Sequence, residues 1–112
     1  MPLEIAFAEK SDRQLCENEA IAVRKLGTKV ADKLKRRLAD LRAATSVKDI
    51  VAGKPEVLFG KYKHQIAVEL CDGYCLVFCA NHNTNPLLES DELDWSRVSR
   101  IKILRIENLY GK

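Results

Sequence analysis

A chain of 112 residues with 46% hydrophobic and 31% charged residues has the make-up of one ordinary globular domain, and residues 1–112 read as a single unit. At this length folding buries roughly two-thirds of the surface exposed by the unfolded chain, so neither a disulfide nor a metal is needed to hold it together. No apolar run approaches the ~20 residues of a membrane span, which predicts no membrane partner. The first residues, MPLEIAFAEK, lack a basic region ahead of a long apolar core. That pattern predicts no signal peptide and a cytoplasmic location.

The formal charge of +3 is small, and its placement says more than its size. Residues 24–42 hold Arg24, Lys25, Lys29, Lys33, Lys35, Arg36, Arg37 and Arg42 against Asp32 and Asp40. Acidic residues gather instead between Glu89 and Asp94. The charge is therefore polarised along the chain. The cysteines, at 16, 71, 75 and 79, form no C-x-x-C. Cys75 and Cys79 would lie about 13 Å apart on one strand, too far for a shared zinc or a disulfide. They read as reduced, small hydrophobes.

In chain order, Leu3, Ile5 and Phe7 alternate and suit one face of a first strand. Ser11 is placed to cap a short helix from Asp12 to about Asn18, with Leu15 and Cys16 inward. A second helical piece starts at Asn18 or Glu19 and carries Ile21 and Leu26; Gly27 stops or kinks it. Thr28 opens the strongest helix, TKVADKLKRRLADLRAA. Val30, Leu34, Leu38 and Leu41 recur at helical spacing, with Ala31 filling between them. Its outer face of Lys29, Lys33, Arg36, Arg37 and Asp40 reads either as plain solvation or as a surface for an acidic partner. Residues 46–49 resemble a short capping box, and Gly53 and Pro55 then break regularity.

The organising stretch is HQIAVELCDGYCLVFCA, residues 64–80. Two apolar, partly β-branched runs flank Cys71-Asp72-Gly73, which predicts a β-hairpin. A three-residue loop with left-handed Gly73 puts Ile66, Val68, Leu70, Tyr74, Leu76 and Phe78 on one face. At about 1.5–3 kcal/mol per fully buried large side chain, this register wins over a two-residue loop. The opposite face then holds Gln65, Ala67, Glu69, Cys75, Val77 and Cys79. It is smaller and more polar, and is expected to line a groove. Residues 81–96 form a polar, acidic connector. VSRIKILRI, residues 98–106, is the last strand, with Ile101 and Ile103 on one face. The fold class is α+β: an N-terminal strand, two to three helices, then a mostly antiparallel three-strand meander completing one sheet. The helices cover one face.

The order of KLKRRLADLRAATSVKDI, a basic loop, AVELCDGYCLVF and VSRIKILRIE resembles the RelE/ParE superfamily. Within it the chain is most similar to the HigB-like, host-killing toxins of type II toxin–antitoxin modules. The resemblance spans nearly the whole chain. It implies a ribosome-dependent mRNA endonuclease that inhibits translation. It also implies a cognate antitoxin, of the helix-turn-helix DNA-binding kind, as partner. Such an enzyme must deprotonate a ribose 2′-OH, stabilise a pentacoordinate phosphate and protonate the leaving 5′-oxygen. That chemistry needs no metal and no cofactor.

Lys61 and Lys63 lie where the superfamily carries basic groups before the hairpin, and read as phosphate contacts or as surface lysines. His64 is a candidate general base or a structural histidine. Tyr110 is a candidate acid, base or stacking platform, or a terminal tyrosine. Arg97, Arg100, Lys102 and Arg105 make the last strand basic, for RNA binding or for edge protection. Glu69 and Cys75 lie on the groove face, Glu69 within reach of an ion pair with Lys63. Two departures stand out. Gly73-Tyr74-Cys75 has a thiol where the family usually has an arginine, and Asn108-Leu109-Tyr110 replaces a common Asp-Tyr-His. They favour the alternative of a non-catalytic protein on the same fold, an antitoxin-binding remnant or an inhibitor of another target such as gyrase.

Overall fold

The computed structural model describes residues 3–47, 50, 55–58, 64–90 and 92–108. The elements run β1 (Glu4–Phe7), α1 (Lys10–Glu17), α2 (Glu19–Leu26), α3 (Thr28–Ala43), β2 (Glu56–Val57), β3 (Gln65–Glu69), β4 (Tyr74–Ala80) and β5 (Arg100–Asn108). They form an α+β domain with one sheet in the order β1-β5-β4-β3-β2. β1 runs parallel to β5, and the other neighbours are antiparallel. The meander has one more strand than the sequence suggests: β2 is a two-residue edge, too short to show a period. No helix among the described residues is long and apolar enough to cross a membrane.

The helical layer follows its apolar spacing. Val30, Ala31, Leu34, Leu38 and Leu41 are the buried residues of α3. Val30, Leu34, Leu38 and Leu41 join Leu3, Ile66, Val68, Leu70, Leu76, Phe78, Ile101 and Ile103 in one core. Asn18 caps α2 by accepting the Ile21 N–H at 3.2 Å. α1 begins at Lys10 rather than at Asp12, and no side chain caps it. Gly27 closes α2 and opens α3: its N–H donates to Val23, and its carbonyl accepts from Ala31. Its backbone, at φ 91° and ψ 159°, lies in a region essentially restricted to glycine.

The hairpin has the expected register, with Glu69 opposite Cys75 and Ile66 opposite Phe78. Leu70 donates to Tyr74, and Tyr74 donates to Cys71, each at 2.9 Å. Asp72 and Gly73 both take positive φ, the requirement of the primed turns that match strand twist. Only glycine was expected there; aspartate tolerates that conformation at modest cost.

β5 starts at Arg100, not Val98, because residues 95–97 make a single 3-10 turn first. It also carries a bulge. Val77 pairs with Arg105 and Phe78 with Ile103, which leaves Leu104 as the extra residue. The bulge shifts the alternation by one. Arg105 and Glu107 thereby join Arg100 and Lys102 on the face away from the helices, while Ile101, Ile103 and Ile106 face the core.

The capping-box reading at 46–49 and the break at Gly53 fall partly or wholly outside the described residues. Gly27→Ala should cost about 1–3 kcal/mol in denaturant unfolding, all of it backbone strain, because nothing lies within 4 Å of the added methyl. Unchanged stability would contradict the strained junction.

Candidate functional site

The face opposite the helices is not an open groove. Ala67, Cys75 and Val77 are buried there, at 3%, 1% and 0% exposure, with Leu58 packed against them. Glu69 and Cys75 do share this face, as expected, but Cys75 is a small second core and not a groove wall. Arg105 supplies part of the cover. Its Nε bonds Glu107 Oε1 at 2.5 Å on its own strand, and its Nη1 donates to Gln65 Oε1 at 3.1 Å. Gln65 lies two strands away, so the Arg105 stem must cross β4 above Val77. A sheet face that looks small and polar in sequence is thus closed by a side chain that the bulge re-aims.

The same face is polarised end to end. At the end where β3 begins lie Gln65, Lys102 and Arg100, with His64 just before the strand. At the turn end, Cys75 is surrounded by carboxylates. Burial pushes its thiol up, and Glu69, Glu56 and Glu107 push it further. Burial raises the Cys79 thiol too, against the opposing pull of Lys102. A phosphate would be attracted to the first end and repelled from the second.

His64 occupies the junction before β3. Its φ is 69°, unusual for a non-glycine residue. Its Nε2 is buried and has no hydrogen-bond partner among the described residues. Such an atom costs about 1–3 kcal/mol and calls for an explanation. Lys61, Lys63 and Tyr110 lie outside the described residues.

The basic residues near β5 are not equivalent. Arg97 is a strut of the connector: it bonds Asp94 Oδ2 at 2.7 Å and the Leu87 carbonyl at 2.8 Å. Hydrogen bonds from Ser96 and Arg97 hold the Asp94 carboxyl below the usual carboxylate range. Arg100 pairs with Glu4 at 2.7 Å, both largely exposed. Lys102 is half-buried opposite Cys79. On α3, Lys29, Lys35, Arg36 and Arg37 pair with Asp72, Glu19, Asp32 and Asp40. Most of these pairs are exposed, so they contribute little to stability.

Sequence reasoning assigned no role to His82. Its Nε2 accepts the backbone N–H groups of Ser99 at 3.1 Å and Arg100 at 3.4 Å. Its backbone N–H donates to Asn85 Oδ1 at 3.1 Å. The ring therefore pins both ends of the connector. Its partners lie 17 and 18 residues away, beyond any local pattern.

Among the described residues no group of His, Cys, Asp and Glu side chains is arranged to hold a metal ion. Comparison with protein-family models, curated proteins and solved structures finds no match for the chain.

Two thiol outcomes follow. At pH 8 Cys75 should resist alkylation in the folded protein and react in denaturant; equal rates would place it in an open groove. Burial, with Asp12 next, pushes the Cys16 thiol up to about 12, above the ordinary value of about 8.5. A raised folded value adds stability that is complete below about pH 8.5 and is lost as pH rises toward 12. Unfolding free energy should fall across that window, less steeply in Cys16→Ala. Identical slopes in the two proteins would contradict this.

Proposed function

We propose that the chain is a toxin of the RelE/ParE kind, HigB-like, that cuts translated mRNA without a metal and is neutralised by a cognate antitoxin in the cytoplasm. One observation carries this reading: the β5 bulge gathers Arg100, Lys102 and Arg105 on one face, beside the end of the sheet where His64 lies. Cations there would hold the RNA backbone and offset the charge of a pentacoordinate phosphate. His64, at the positive-φ junction before β3, would accept the 2′-OH proton. Lys61, Lys63 and Tyr110 remain part of the proposal on sequence order alone. The antitoxin would favour the basic helical layer, because the centre of the opposite face is closed.

A second reading has its own support. Arg105 is already committed to Glu107 and Gln65, and carboxylates surround Cys75 where the family usually carries an arginine. Both features favour a non-catalytic binding protein on the same fold.

In vitro translation with mapped mRNA ends separates the two. The wild type should create new ends in translated mRNA, and His64→Ala and His64→Gln should lower their yield by about 10²–10⁴. Absence of new ends with folded wild-type protein would leave the binding reading.

A further inference from the structure

We propose that the cleft between β1 and residues 81–83 is a subsite for a single-stranded guanine nucleotide. This subsite presupposes an RNA substrate, as proposed above, and adds a base preference to it. The cleft is open, about 360 Å³ in volume, and includes Glu4, Asn81, His82, Asn83 and Arg100 in its walls. That volume falls within the ~300–1,000 Å³ of small-molecule sites. It adjoins the cationic end of the sheet through Arg100, whose neighbour on the same face of β5 is Lys102.

Recognition rests on the Glu4–Arg100 pair. Arg100 Nε forms an ion pair with Glu4 Oε2 at 2.7 Å. Glu4 Oε1 and the terminal guanidinium nitrogens have no other partner among the described residues. The pair thus offers two acceptor oxygens beside N–H donors, all within one cleft. The Watson–Crick edge of guanine reads donor, donor, acceptor: N2–H, N1–H and O6. An acceptor, acceptor, donor row is its complement. Adenine and uracil present one donor and cytosine one donor group on that edge, so none can engage both carboxylate oxygens and the guanidinium together. The pair is exposed, so turning it toward a ligand forfeits little.

A base also needs a surface to stack on, and single-stranded RNA is read with histidine among other rings. His82 lines the cleft, and its ring is locked by the Ser99 and Arg100 backbone N–H groups. It is therefore oriented before any ligand arrives. The Asn81 and Asn83 amides can donate or accept toward ribose and phosphate.

The test is NMR titration of the full chain with 5′-GMP, 5′-IMP, 5′-AMP, 5′-CMP, 5′-UMP and inorganic phosphate. GMP should shift amides at residues 4–6, 81–83 and 99–100. IMP, which lacks the N2 donor, and AMP should bind about tenfold more weakly or worse. Glu4→Gln should abolish the preference, because one acceptor becomes a donor. Equal affinities for the nucleotides, shifts mapping elsewhere, or an unchanged preference in Glu4→Gln would overturn the subsite. Phosphate binding as well as GMP would reduce the cleft to an anion site and overturn it too. The IMP comparison needs no variant, so it holds even if a substitution disturbs folding. GMP preference without mRNA cleavage would instead sink the nuclease reading and leave the subsite standing.

Discussion

From Cys75 to Phe78, β4 has no solvent-facing side: these four residues are exposed by 1% or less. A strand buried on both faces needs cover above and below. The helices supply one cover through Leu34, Leu38 and Leu41. The other face has no second helical layer among the described residues. It is closed by Leu58 and by the stem of Arg105. An arginine can do this because its methylenes lie on apolar surface while its guanidinium finds Glu107 and Gln65 at the rim. That cover depends on the bulge at Leu104. Without it, Arg105 would point into the helical core beside Ile103, and a buried guanidinium there would be costly.

Closing the centre moves chemistry to the ends of the sheet. The cationic end carries Arg100, Lys102 and the strained junction at His64. The opposite end carries Glu56, Glu69 and Glu107. A polyanion crossing this face would find one end favourable, with its register biased before any specific contact forms. The cleft at Glu4 and Arg100 continues the cationic end toward β1. Arg97, three residues before Arg100, is spent on the connector. Formal charge along a strand is thus a poor guide to charge available for a ligand; the carboxylate partners decide.

Much of the fold was legible because it rests on local periodicity. The spacing of Val30, Leu34, Leu38 and Leu41 marks the buried stripe of α3, and Gly27 marks its start. The hairpin register follows from collecting the larger apolar set on one face. What escaped is non-local. β2 is too short to carry a pattern. The bulge at Leu104 shows only when β4 is aligned against β5, and it alone explains why Arg105 shares a face with Lys102. The burial of the Ala67, Cys75 and Val77 cluster involves Leu58, far from Cys75 and Val77 in sequence. Of the candidate site, His64, Arg100, Lys102 and Arg105 were visible as residue types with the right chemistry. Their different fates, and the latch formed by His82, were not.

Native-state hydrogen exchange tests the two-sided burial of β4 most directly. The amides of Leu76, Val77 and Phe78 should exchange only through global unfolding, with protection equal to the unfolding free energy. Arg105→Ala, which strips the cover from one face, should let β4 exchange through a smaller opening while α3 keeps its protection relative to global unfolding. Fast, sub-global exchange of Val77 in the wild type, no slower than the edge strands β1 and β2, would contradict the account.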